Sequence, residues 1–392
     1  MHPEIPTSID KPGIAPLPIS PTDVSQFIRL DQCQRFLRLR LHARSNTMRF
    51  LHDYDVQPQG IPPILSRSGA EFEQQVEADV RARHPSHRFS AAERTAAGTS
   101  HDNASMVARI RALASGGVLV LFQPRLEADL DGWRMRGDVD LMRCERSAGG
   151  NLRILIADMK SSTAAKVEHR LQVAFYHEML AGILREAGVE HGSIDLAILY
   201  RGPAQPPVSI ELVRKHEEER RLAAGKLGAS VGLLEPLEPQ RAYIDAVHEL
   251  VLGDHAHARR IMQTPFDDLP FHLTMKCDGC LFNEFCMKLA AESDDLSLLP
   301  HITENDKAAL QRGGVTTTTQ LATLMDLQRK GTESIDGQMV EATHLAPAPG
   351  RKDEARRLST TWPVGPRLEE LVHRARRYRT FKRDPIDSVS WL

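Results

Sequence analysis

Nine residues, Leu152 to Lys160 (LRILIADMK), limit this chain more than any other stretch: an apolar run that ends on two charges. Set off by the Gly149-Gly150 break, the run reads as a strand. Alternate residues of an extended chain share a face, so Asp158 and Lys160 project together while Met159 points the other way, into packing. The preceding segments, VLVLFQ from Val118, RLEADL, an Asp131-Gly132 turn and WRMRGDVDLMRCE, read as short strands punctuated by hairpin signals. Ala164 to Glu186 has the spacing of a long helix, and IDLAILY, Ile194 to Tyr200, reads as a further strand. A strand cluster, a helix and a strand predict an α/β core.

The flanks differ. Ser25 to Leu41, Gly69 to Arg83 and the stretch from Leu212 to about Gln263 favour helix. The first twenty residues carry several prolines and no apolar h-region, which predicts a disordered lead-in rather than a signal peptide. The longest apolar stretch, Val118 to Phe122, is far short of the roughly 18 residues of a membrane span, so a soluble, cytoplasmic protein is expected. At about 150 residues per domain, 392 residues allow roughly two to three domains. The 50 Lys+Arg and 52 Asp+Glu leave a net charge of −2, which excludes a histone-like polycation and names no partner.

Chemistry gathers around GDVD, Gly137 to Asp140, and ADMK, Ala157 to Lys160. Asp140, on the strand before, can reach the spot shared by Asp158 and Lys160. Two carboxylates and an ammonium at a sheet edge suit metal-dependent phosphodiester hydrolysis. The carboxylates would hold Mg²⁺ or Mn²⁺, and the lysine would orient or deprotonate a water and offset phosphate charge. On the helix that follows, Gln172 and Tyr176 lie at i, i+4, away from the stripe of Leu171, Phe175 and Met179.

This order, Gly-x-x-Asp, then Asp-x-Lys at a strand end, then Gln-x-x-x-Tyr on a helix, resembles the RecB-type branch of the PD-(D/E)xK nuclease superfamily. The resemblance implies a restriction-endonuclease-like fold, a mixed sheet flanked by helices. It makes Asp140 and Asp158 metal ligands, Lys160 the catalytic lysine, and Gln172 and Tyr176 a substrate-positioning pair. Asp138 is the less favoured aspartate, expected to be a solvated strand residue. The family often adds a histidine ligand from an upstream helix, followed by a glutamate. In GAEFEQQV that place holds Phe72, and Glu73 becomes the substitute ligand, with Glu71 the alternative by register.

Cys277, Cys280 and Cys286 have C-x2-C-x5-C spacing, and Cys33 lies far upstream. One cysteine before the nuclease core and three after it is similar to AddB and the CRISPR adaptation nucleases, which implies a four-iron four-sulfur cluster clasping the two ends of the domain; spacing alone leaves zinc open. Cys144 has no thiol neighbour in sequence and is expected to pack. The segment around Leu299 to Leu324 resembles a helix-hairpin-helix module, whose hairpin would offer amides to a DNA phosphate. Arginines between Arg29 and Arg49, and the tail PRLEELVHRARRYRTFKR with Tyr378 and Phe381, are candidates for phosphate contacts and base stacking.

The expected organisation is a disordered tail over 1–20, a RecB-like nuclease domain with a cysteine clasp over 21–290, a helix-hairpin-helix-like module over 296–328, a linker over 329–365 and a basic helical tail over 366–392. The expected activity is that of a Mg²⁺- or Mn²⁺-dependent deoxyribonuclease, an exonuclease on single-stranded DNA or DNA ends, in repair, recombination or defence. Many resembling proteins carry a further nuclease-like or helicase domain, so a helicase or further nuclease subunit is an expected partner. The alternative is a non-catalytic DNA-binding or docking subunit.

Overall fold

The computed structural model describes residues 17–45, 63–95, 101–205, 207–335 and 338–383. The chain divides into two compact units, Met1–Phe271 and His272–Leu392. In the first, β1 (Leu17–Ile19) leads into α1 (Pro21–Arg29), α2 (Gln34–Ser45) and α3 (Pro63–Arg83). There follow β2 (Ser86–Arg88), α4 (Ala91–Thr95), α5 (His101–Arg111), β3 (Val118–Phe122), β4 (Arg125–Leu130), β5 (Trp133–Asp138), β6 (Leu141–Arg146) and β7 (Leu152–Lys160). After these come α6 (Val167–Glu186), β8 (Ser193–Tyr200), α7 (Ile210–Leu222), β9 (Leu233–Pro236), α8 (Gln240–Val247) and α9 (His257–Gln263). The result is a mixed α/β core, sheets flanked by helices, as a restriction-endonuclease-like fold requires.

The larger sheet has the order β2-β3-β6-β7-β8-β9, with β7 between an antiparallel β6 and a parallel β8. A central strand is covered on both faces, which accounts for its near-continuous apolar sequence. Leu155, Ala157 and Met159 pack against Phe72, Val76 and Val80 of α3. Asp158 and Lys160, of the opposite parity, are left for the α6 side, and the alternation read from the sequence holds.

A smaller sheet, β1-β5-β4, stands apart from the larger one in its hydrogen bonding. WRMRGDVDLMRCE is therefore not one strand: β5 ends in the small sheet at Asp138, and β6 begins in the large sheet at Leu141. The break carries no turn signal because it is a crossing rather than a reversal. It runs beside the β3–β4 crossing, joined to it by Val139 N–H to Pro124 O (3.0 Å) and Gln123 N–H to Asp140 O (3.2 Å). The tail expected over 1–20 also ends early. Leu17–Ile19 pairs in parallel with Trp133–Met135, and Ile19 is buried.

The second unit contains a 3₁₀ turn (Met275–Gly279), α10 (Asn283–Glu292), α11 (Glu304–Arg312), α12 (Thr318–Ala322), β10 (Met325–Ile335), β11 (Gln338–Pro347), α13 (Lys352–Ser359) and α14 (Leu368–Arg383). Its core gathers Leu299, Leu310, Val315, Leu321, Leu358, Leu371 and Val372. The stretch expected to be a linker, 329–365, instead holds most of an antiparallel β10–β11 ribbon and all of α13. A two-stranded ribbon needs no apolar alternation to form its ladder, so the sequence carries no period-2 signal there.

Gly137 shows how closely the small sheet meets its neighbours. A Cβ there would lie 2.8 Å from Tyr176 Cε1 of α6 and 2.9 Å from Pro21 Cδ of α1. Gly137→Ala is expected to lower unfolding stability by about 1–3 kcal/mol through overpacking, measured by urea denaturation of the full chain.

Candidate active site

β7 ends where β6 begins: Leu141 pairs with Ala157 in an antiparallel register, which, continued by one residue, brings Asp140 level with Asp158. Asp140 Oδ2 accepts the Met159 N–H at 2.7 Å. Asp158 is buried, and its two oxygens face different partners. Oδ1 accepts from Gln172 Nε2 at 3.1 Å, while Oδ2 lies 2.7 Å from Lys160 Nζ. That ion pair apart, Oδ2 makes no hydrogen bond of regular geometry among the described residues. Glu73, half-buried on α3, is close enough to Asp140 and Lys160 for both to act on its charge. Asp140, Asp158, Lys160, Glu73 and Gln172 are thus brought together. Glu71 is exposed on another side of the helix, and Phe72 is buried.

The electrostatics follow from this burial. Desolvation drives the Asp158 carboxyl well above the usual range; Lys160 opposes the shift and Asp140 adds to it. Desolvation alone would lower Lys160, but Asp158 and Asp140 outweigh it and raise its value. Lys160 is therefore held as a cation, suited to orienting and neutralising rather than to taking a proton. Glu73 is raised by burial and by Asp140.

The oxygens present fit a hard divalent cation. Mg²⁺ is commonly bound through one or two carboxylates, with water and substrate phosphate completing its shell. Asp140 and Asp158 supply such a pair. Among the described residues no group of three or more His, Cys, Asp or Glu side chains stands ready to hold a metal ion, so the site is a carboxylate pair with Glu73 alongside.

Three expected roles change. Tyr176 is buried, and its hydroxyl donates to Asp138 O at 2.6 Å; with Gln172 on Asp158, the Gln-x-x-x-Tyr pair holds the two aspartate segments in place. Asp138 is a partly solvated strand residue that is also paired. The β4–β5 register sets it opposite Arg125, whose Nε and Nη2 donate to its two oxygens at 2.7 and 2.8 Å. The arginines of α2 are largely structural: Arg38 is buried and donates to Ile261 O (3.1 Å), Arg35 stacks over Phe271 (4.2 Å to the centroid), and Arg40 pairs with Asp23 (2.7 Å). The Arg44 and Arg49 side chains lie outside the described residues.

In the second unit the hairpin around Gly313-Gly314 offers no open anion site. The N–H groups from Gly313 to Thr319 already donate internally, for example Gly314 to Gln311 O (3.0 Å), Thr316 to Gln320 Oε1 (2.7 Å) and Thr319 to Asp294 Oδ2 (2.9 Å). The tail helix α14 is docked by Leu368, Leu371, Val372 and Ala375. Arginines here are engaged too: Arg367, just before the helix, with Asp306 (3.1 Å), and within it Arg376 with Met325 O (2.8 Å) and Arg379 with Asp294 (3.3 Å). Tyr378 packs on the same core, and the Phe381 side chain lies outside the described residues.

Cys33 belongs to the first unit and Cys277, Cys280 and Cys286 to the second, and none is in a disulfide. Cys277 Sγ accepts the Thr274 N–H at 3.3 Å, and Cys280 Sγ accepts the Phe282 N–H at 3.4 Å. Cys144 is buried between strands, its thiol pushed up to about 12 by desolvation, which is the behaviour of a packing cysteine.

Two residues near the site are missed by the sequence reading. Arg201, just past β8, donates its backbone N–H to Lys160 O at 3.0 Å. His169, one turn before Gln172, accepts the Lys166 N–H on Nδ1 at 3.3 Å. An i, i−3 inspection of the Gln-x-x-x-Tyr helix would have found the histidine; only the fold brings Arg201 in.

Comparison with known proteins supplies the family. Residues 51–287 match the PD-(D/E)XK nuclease superfamily, and the chain belongs to that superfamily. Its members use divalent metals such as Mg²⁺ or Mn²⁺. No curated protein matches the chain. Among solved structures, the crystal structure of SSO0001 is matched at 11% identity with a TM-score of 0.23, over 69% of this chain and 85% of that one, too distant to carry a structural argument. Among the described residues no helix is long and apolar enough to cross a membrane.

His169 gives a pH prediction. Burial first, and then Lys160, hold its imidazole down to about 4, with Glu168 opposing. A folded-state value below the unfolded one means that stability is full above the ordinary histidine value of 6.5 and is lost as pH falls from there towards 4. Between pH 7 and pH 5 the wild type should lose more urea stability than His169→Asn; equal losses would remove the assignment.

Proposed function

We propose that the first unit is a metal-dependent deoxyribonuclease of the RecB-like branch, hydrolysing phosphodiester bonds of single-stranded DNA or DNA ends. The observation that carries this reading is the buried Asp158, whose Oδ2 is matched by a cation at 2.7 Å and flanked by Asp140. Superfamily membership and the order of Gly-x-x-Asp, Asp-x-Lys and Gln-x-x-x-Tyr support the branch and the substrate. The approach of Glu73 to the pair favours a working centre over a non-catalytic docking subunit.

Asp140 and Asp158 would hold Mg²⁺ or Mn²⁺, with Glu73 contributing from α3. Bound there, the cation supplies Lewis acidity to the phosphate and lowers the pKa of a water. Gln172 fixes Asp158 Oδ1. The Met159 amide fixes Asp140 Oδ2. Lys160, held as a cation beside Asp158, would orient the attacking water and neutralise charge on the phosphate oxygens.

Purified full-length protein should degrade end-labelled single-stranded DNA with Mn²⁺. Lys160→Ala and Asp158→Asn should each lower the rate by at least about a hundredfold, the scale of losing one electrostatic stabiliser. Full activity in either variant would refute the site.

The iron–sulfur reading rests on the resemblance of the cysteine pattern. It is supported in the second unit by the amides donating to Cys277 Sγ and Cys280 Sγ, because hydrogen bonds to sulfur are a feature of cluster sites. Iron and acid-labile sulfide in anaerobically purified protein, lost in Cys277→Ser, is the expected result; stoichiometric zinc without iron would replace the cluster by a zinc centre.

A further inference from the structure

Arg201 is exposed at the end of β8, yet its contacts converge on a single turn of α3. Nη1 donates to Ser68 Oγ at 3.1 Å and Nη2 to Ser68 O at 2.8 Å, while the guanidinium carbon stands 5.4 Å from the centroid of the Phe72 ring. The same residue is anchored to the catalytic strand through its backbone N–H on Lys160 O. The Phe72 ring is confined from another direction by Gly232. There φ is +89°, and a Cβ would lie 3.1 Å from Phe72 Cζ and 3.2 Å from Tyr200 O. Lower on the same helix, Asp79 accepts the Ser230 N–H at 2.7 Å.

These contacts fix the rotation of α3 about its axis. Successive helical residues are about 100° apart, so a buried Phe72 determines where Glu73 points. Glu73 there lies close enough to Asp140 and Lys160 for both to act on its charge.

We infer that Arg201 is a positioning residue: by pinning Ser68 and Phe72 it sets the rotation of α3, holds Glu73 at the carboxylate pair, and so tunes divalent-cation affinity without touching the cation. The inference rests on the reading of Asp140, Asp158 and Glu73 as cation ligands. Arg201 supplies what Phe72 and Gly232 cannot, a forked link between the helix and the strand that carries Lys160. A lysine at 201 would keep the charge over the ring but not the two-pronged grip on Ser68.

The test is Mn²⁺ binding to the full chain, read from the electron paramagnetic resonance signal of free Mn²⁺, without any nuclease assay. Arg201→Met should weaken binding about tenfold, the low end of the range for residues that orient metal ligands, and Arg201→Lys should recover part of the loss. Glu73→Gln should weaken binding as well, and the double variant Glu73→Gln with Arg201→Met should bind no more weakly than Glu73→Gln alone. A role in general stability would instead lower the thermal midpoint and make the two losses add. Wild-type affinity in Arg201→Met, or additive losses in the double variant, would overturn the inference while leaving the metal site standing. Absence of Mn²⁺ binding by the wild type would overturn the site itself, and the inference with it. Should Arg201→Met fail to fold, Ser68→Ala carries the same expectation.

Discussion

The pairing of Asp158 with Lys160 is what the rest of the first unit is arranged around. A buried carboxylate is costly unless something charged or hydrogen-bonding meets it, and here a lysine two residues along the same strand does so at 2.7 Å. The pair can exist only where a central strand emerges from the sheet, with apolar residues behind it and a polar helix face above it. β7 provides the first condition and α6 the second. The lysine is held charged, while burial pushes the aspartate towards its neutral form.

The second constraint is the close fit of α6. The helix packs against β7 and β8 of the large sheet and against α1 and β4 on the side of the small one. Gln172 looks towards the Asp-x-Lys strand and Tyr176 towards the Gly-x-x-Asp segment, so one helix face indexes both. Gly137 is required at that contact because any side chain would meet the Tyr176 ring and Pro21. Gly-x-x-Asp and Gln-x-x-x-Tyr are therefore two sides of one contact.

Much of this centre could be read in the sequence because strand alternation is local. Two residues of like parity at the end of an apolar run must share a face, and Asp158 and Lys160 do. The i, i+4 relation of Gln172 and Tyr176 was equally local. The sheet switch between Asp138 and Leu141 was not legible, since two antiparallel crossings keep the same pairing register on either side of the break. Nor were the internal uses of arginine. A run such as Arg35, Arg38 and Arg40 has the same composition whether its partners are phosphates or Asp23, Ile261 and Phe271, residues 17 to over 200 positions away or more in sequence for the first two. Glu73 was found through a resemblance, whereas Arg201 depends on a contact across 133 positions.

The sheet switch also bears on how far the chain can vary in length. Asp140 is set by counting from Leu141, whose partner is Ala157, and by the carbonyl and amide that join its crossing to Gln123 and Pro124. One residue added or removed at Val139 would exchange the faces of everything that follows in β6. The Asp131-Gly132 turn lies at the far end of β4 and β5, where extra residues leave that count intact. The first unit thus has a segment whose length is fixed by its chemistry and, a single strand away, a loop whose length is not.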